Sequence, residues 1–114
     1  MRVLEQVKFS EPYQYRTVEA GRSGVVWFMP VTGGYVAFIS QVYICWFPNC
    51  WLEFIVDGVP VEPRIEHAIG SLTAPKTYDP PIVARKAVKV VAHNNDSVAH
   101  TFECLIDGVL ARPV

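Results

Sequence analysis

From residue 51 the chain alternates. Leu52, Phe54 and Val56 fall on one set of positions, and Trp51, Glu53 and Ile55 on the other. Successive side chains of a strand point to opposite faces, so this stretch is predicted as a strand with Leu52, Phe54 and Val56 turned to a core. The same period of two sets Val88, Val90 and Ala92 against Lys89 and Val91 within 84–92, and puts Phe102, Cys104 and Ile106 on one side of 100–106. Val25-Val26-Trp27-Phe28-Met29 reads as a short buried strand stopped by Pro30. The stretch 35–47 is rich in aromatic and β-branched residues and favours strand. It exceeds the usual strand length, so a bend is expected near Ser40-Gln41. Residues 2–9 give a first strand suited to an edge. In 59–65 the lack of donors at Pro60 and Pro63 predicts an edge strand.

Turn chemistry divides these segments. Pro48-Asn49 and Asp57-Gly58 read as hairpin tips, Thr32-Gly33-Gly34 and Asn94-Asn95-Asp96-Ser97 as turns. Residues 52–59 (LEFIVDGV) align with 102–109 (FECLIDGV), and Pro63 aligns with Pro113. That self-similarity predicts two strand–turn–strand units, the second turning at Asp107-Gly108, and is too short for a solenoid. Residues 67–81 read as a loop with room for a short helix at 66–72. Residues 10–24 read as a polar loop or extended arm. Nothing in the chain has a period of 3.6. The expectation is one domain over 1–114: an all-β antiparallel β-sandwich of jelly-roll or Greek-key type, in which the 66–81 connection crosses between sheets.

Composition narrows the class. The 114 residues are 51% hydrophobic and 18% charged, with a net charge of -1. Such a chain can bury a real core and is not expected to be disordered. Without a cluster of Lys or Arg, no nucleic-acid partner is expected. The apolar run 35–47 is too short for a membrane span. Met1–Gln6 carries charge where the apolar part of a signal peptide would lie, so folding in a cytosol is the expectation.

Three cysteines leave at least one free. In a four-residue loop Cys45 and Cys50 would face each other closely enough for a disulfide; in a two-residue turn they would be two small buried hydrophobes. Cys104 aligns with Phe54 and reads as a core thiol. Trp46, Phe47 and Trp51 crowd six residues, more than one hairpin can cover. They read either as a contact surface for protein or sugar, or as a cap on the end of the sandwich. Tyr13 and Tyr15 in the 10–24 segment are candidate contacts of the same kind.

The stretch 92–102 (AHNNDSVAHTF) resembles the Asn-x-Asp-x-x-x-His-x-Phe stretch of cupredoxins. That resemblance implies copper on His100 with Cys104, and His93 or His67 as the further ligand. No second His or Met follows residue 100, and the plainer reading is an Asn/Asp turn between strands, so no metal or cofactor is the expectation. Glu53 with Glu103 and Asp57 with Asp107 are the acid pairs a hydrolase would need, but nothing in the sequence brings them together. No Gly-x-Ser-x-Gly, His-Glu-x-x-His or phosphate loop occurs, so no enzyme is expected. Taken whole, with its paired Asp-Gly-Val units and its polar-aromatic 10–22 segment, the chain resembles small phage or viral virion components such as capsid decoration or tail accessory proteins. The resemblance implies a non-enzymatic structural subunit, made in a host cytoplasm and located in the virion. Its partners would be itself and other virion proteins. The alternative expectations are a carbohydrate-binding module stacking sugar on Trp46, Trp51 or Tyr78, and the copper protein above.

Overall fold

The computed structural model describes residues 4–114 and contains strands without a single helix among them. In chain order the strands are β1 (Leu4–Lys8), β2 (Tyr13–Val18), β3 (Ser23–Pro30), β4 (Val36–Ile44), β5 (Cys50–Val56), β6 (Val59–Ile65), β7 (Lys76–Ala84), β8 (Ala87–Asn94) and β9 (His100–Pro113). One sheet runs β1-β9-β4-β7 with β2 also on β9; the other runs β3-β8-β5-β6. The paired strands are antiparallel. Every connection from β2 onward passes to the opposite sheet except the β5–β6 hairpin. This order of strands, wrapped across two sheets, is a jelly roll. Residues 2 and 3 of the predicted first strand lie outside the described residues.

β1 and β2 act as one interrupted strand. Leu4–Lys8 pair with Val109–Pro113, and Tyr13–Val18 pair with His100–Leu105. The residues between them bulge, and Phe9 drops its ring into the core at 4% exposure. The 10–24 arm expected from polar composition is thus corrected: its middle is β2, hydrogen-bonded to β9, because alternating Tyr13, Tyr15 and Thr17 tolerate one solvated face. The helix at 66–72 is corrected too. Ile69 instead forms a bridge to Ile44.

The β5 pattern is the simplest success of periodicity. Cys50, Leu52, Phe54 and Val56 are buried, with Trp51, Glu53 and Ile55 half-buried between them. β8 alternates in the same way and buries Val88, Val90, Ala92 and Asn94. Phe102, Cys104 and Ile106 close the core from β9, with Trp27 from β3.

Three of the edge strands, β6, β7 and β3, carry their own protection. Prolines at 60 and 63 lie in β6, at the edge of its sheet. In β7, also an edge, Tyr78, Asp79, Pro80 and Pro81 stand opposite Ser40 alone, because the register jumps from Ile39↔Ile82 to Gln41↔Thr77. The bend expected near Ser40-Gln41 is this bulge, and it lets two residues without N–H sit in a strand that was expected to be loop. At the β3 edge the side-chain amide of Gln14 substitutes for a strand: Nε2 donates to the Phe28 carbonyl at 3.0 Å, and Oε1 accepts from its N–H at 3.1 Å.

Two sequence expectations about turns fail. Pro48-Asn49 does turn the chain, with Asn49 at φ 65°, but it joins β4 and β5 across the two sheets and is not a hairpin tip. Asp107-Gly108 does not turn at all; β9 runs through it to Pro113.

Candidate functional site

The crossover from β4 to β5 and the loop from β8 to β9 meet at one end of the sandwich. Phe47 stacks on His100 (centroids 4.3 Å, planes 14° apart) and meets Phe102 edge-on at 5.3 Å. His100 Nε2 lies 2.8 Å from Asp96 Oδ2. That side-chain hydrogen bond, with the Ser97 N–H behind it, lowers the Asp96 pKa below the ordinary carboxylate value. Trp46 donates from Nε1 to the Cys50 carbonyl at 2.8 Å. The aromatic residues of this stretch are therefore half-buried, as a cap on the end of the core. Beside them lies an open cleft of about 380 Å³ lined by Trp46, Asn49, Trp51, Arg64, Glu66 and Asn95.

Trp51 is held on both faces. His93 stacks on one face at 3.8 Å, and the Arg64 guanidinium lies 4.6 Å from the ring centroid. A sugar ring seeking a free aromatic face finds only the edge of Trp51 in the present arrangement. Tyr78, the other stacking candidate, has Lys76 Nζ 5.0 Å from its ring centroid.

The outer face of the β3-β8-β5 sheet holds a relay that the sequence did not point to. Ser23 pairs with His93 across β3 and β8, and His93 pairs with Trp51 across β8 and β5. Ser23 Oγ is 2.7 Å from His93 Nδ1, and His93 Nε2 is 2.7 Å from Glu53 Oε1. Each of these residues sits at a polar position of an alternating strand. Only the strand order makes them neighbours, and no local motif encodes that order.

On the other sheet Tyr13, Leu105 and Tyr43 form one row across β2, β9 and β4. Tyr13 is 41% exposed and Tyr15 67%, with ring centroids 6.1 Å apart.

Of the two readings of Cys45 and Cys50, the disulfide is not formed. All three cysteines are free; Cys45 lies just after β4 and Cys50 begins β5, strands of different sheets and not facing arms of a hairpin. Cys45 Sγ accepts from the Glu103 N–H at 3.0 Å, while Cys50 Sγ donates to Asn94 Oδ1 at 3.3 Å. Burial raises the pKa of all three thiols, Cys104 most. The copper set is dispersed. His93 is bound to Ser23 and Glu53, His100 to Asp96, and Cys104 lies four residues along β9 from His100, about 13 Å at strand rise. Among the described residues no group of three His, Cys, Asp or Glu is placed to hold a metal. The acid pairs also separate: Glu53 lies in the β3-β8-β5-β6 sheet and Glu103 in the other. No helix among the described residues is long and apolar enough to cross a membrane. No protein-family model matches the chain, and comparison with curated proteins finds no similar sequence.

Proposed function

We propose that the protein is a structural subunit of a virion, a capsid decoration or a tail or head accessory protein, that works through protein–protein contacts. The observation that carries this reading is the pair Tyr13 and Tyr15, exposed on β2 beside the Leu105–Tyr43 row of a jelly roll. Tyrosines give large contact area with few rotatable bonds, which favours them as interface anchors. The jelly roll itself recurs in viral capsid domains, which supports the reading by analogy of fold. The protected edges bear on how contact is made. Prolines in β6 and β7 and the Gln14 clasp on β3 disfavour added strands at those three edges, so contact there falls to side chains on the faces. The half-buried Trp46 and Phe47 serve less well as anchors than the tyrosines do.

The test is the double variant Tyr13→Ser, Tyr15→Ser, compared with the parent by sedimentation and by binding to purified particles. A folded variant that loses self-association or particle binding supports the proposal. A variant that assembles and docks like the parent removes its main support. The cleft by Trp46, Asn49, Arg64 and Glu66 favours a second reading, carbohydrate binding. It would show as sugar-dependent change in tryptophan fluorescence that Glu66→Ala abolishes.

A further inference from the structure

We propose that Ser23 is an activated nucleophile that accepts acyl groups from anionic carboxylic esters. Three observations meet at this residue. The first is the relay itself. A glutamate carboxylate only accepts, so in the neutral imidazole Nε2 carries the hydrogen toward Glu53, and Nδ1 turns its lone pair to the Ser23 hydroxyl 2.7 Å away. A serine hydroxyl bonded to a base, and that base oriented by a third group, is the arrangement that nucleophilic catalysis requires.

The second is rigidity. The imidazole is stacked on Trp51 at 3.8 Å, and the side chains of His93 and Glu53 keep only 21% and 25% of their exposure. Ser23, by contrast, is exposed at the start of β3, so the nucleophile is reachable while its base is held.

The third is the cleft. Ser23 lines an open depression of about 390 Å³ together with Arg16, Thr17, Glu19 and Arg22. The Arg16 guanidinium donates to the Val25 carbonyl at 3.3 Å and lies against Gly24, where a Cβ would come within 3.2 Å of it. The glycine thus leaves room for the guanidinium against the backbone of β3, on the strand's other face from the Ser23 hydroxyl. Two arginines against one glutamate favour a substrate carrying negative charge.

In the step, Ser23 Oγ forms a bond to the ester carbonyl carbon while its proton passes to His93 Nδ1. The tetrahedral adduct then collapses. The carbon–oxygen bond to the alcohol breaks, and the departing oxygen takes the proton from the imidazolium, leaving an acyl-serine that water cleaves by the same steps. Glu53 acts as a positioning residue through His93. This inference goes beyond the assembly reading and does not rest on it, since none of Ser23, His93 and Glu53 belongs to the tyrosine surface.

The test uses a fluorophosphonate probe and two nitrophenyl esters, the anionic hemisuccinate and the neutral acetate, with peptide mass spectrometry to locate the adduct. Ser23 is expected to be labelled, Ser23→Ala to lose the adduct, and His93→Gln to slow labelling by about 10²–10⁴-fold with its circular dichroism unchanged. Added imidazole should restore part of the rate in His93→Ala, which lost packing alone would not allow. Glu53→Asp should retain more labelling than Glu53→Ala. Arg16→Gln with Arg22→Gln should weaken reaction with the hemisuccinate while sparing the acetate. A folded parent labelled no faster at Ser23 than at its other serines, or His93→Gln labelled at the parent rate, overturns the nucleophile. Equal reaction of the two esters, unchanged by the arginine variants, overturns the anionic substrate class.

Discussion

Asp57 Oδ1 accepts a hydrogen bond from the Lys86 N–H at 2.6 Å, so the turn of one hairpin holds the turn between β7 and β8. The same carboxylate takes the N–H groups of Arg85 and Ala87. Asp57 itself sits at φ 54°, a left-handed conformation that aspartate tolerates. One residue therefore makes the β5–β6 turn and ties two sheets together at that end.

This predicts an acid-sensitive clasp. Burial raises the Asp57 pKa, but the three backbone N–H groups outweigh it and bring it below the ordinary value. A carboxyl whose folded pKa is lowered contributes stability above its unfolded pKa and loses it as pH falls through the folded one. Stability should therefore drop below about pH 4, and part of that drop should vanish in Asp57→Asn. Asp57→Ala should cost about 1–3 kcal/mol at neutral pH in denaturant unfolding. An unchanged acid limb in Asp57→Asn would show that water replaces the clasp at no cost.

The second Asp-Gly pair behaves otherwise. Gly108 has no positive φ; it is required for space. A Cβ there would come within 1.9 Å of the Phe38 carbonyl oxygen. Gly108→Ala should destabilise by more than about 3 kcal/mol or prevent folding. Gly58→Ala meets no atom within 4 Å, although its φ is 79°, and should cost only about 1 kcal/mol. The two unfolding midpoints decide it, and a reversed order would place the crowded approach elsewhere.

These two glycines show where the sequence stops being readable. The dipeptide Asp-Gly and its flanking alternation are local, and locally 52–59 and 102–109 share their Glu, Asp, Gly and Val with apolar residues at the other positions. Whether the chain turns depends on what lies alongside. At 57 the neighbouring turn offers three amides. At 107 the partners on both sides of β9 bulge, at Ser40 and after Lys8, and the strand passes between them. Inward positions such as Leu52, Phe54, Val88 and Phe102 were legible because burial follows the strand period. Ser23, His93 and Glu53 were not, since each occupies an ordinary outward position and their contact is a product of strand order.

The β5 register gives a direct comparison. Phe54 is fully buried between the sheets, and its neighbour Glu53 faces outward. Phe54→Ala should cost about 3–5 kcal/mol, while Glu53→Ala should lose far less because its partner His93 keeps Ser23. Equal small losses in chemical denaturation would mean a register wrong by one residue.

Asn94 carries the last prediction. It is the buried polar residue among the described positions, and its side chain holds three segments. Nδ2 donates to the carbonyls of Val18 at 2.9 Å and Val98 at 3.0 Å, ends of β2 and of the β8–β9 loop. Oδ1 accepts from the Asp96 N–H at 2.9 Å and from Cys50 Sγ. An amide is needed, because one end must donate twice and the other only accept. Asn94→Asp supplies no donor when ionised and places a charge in the core. Asn94→Leu keeps the volume but strands two carbonyls and one N–H. Each should cost about 2–4 kcal/mol, several times a surface change, by the desolvation of unpaired buried groups. Because Asp96 also holds His100, against which Phe47 stacks, the loss should spread to the aromatic cap. Hydrogen exchange should then speed up at 95–102 in Asn94→Leu, while the far end of the sandwich around Asp57 keeps the parent rates. Uniform acceleration across the chain would mean that Asn94 supports the whole fold and not this end of it.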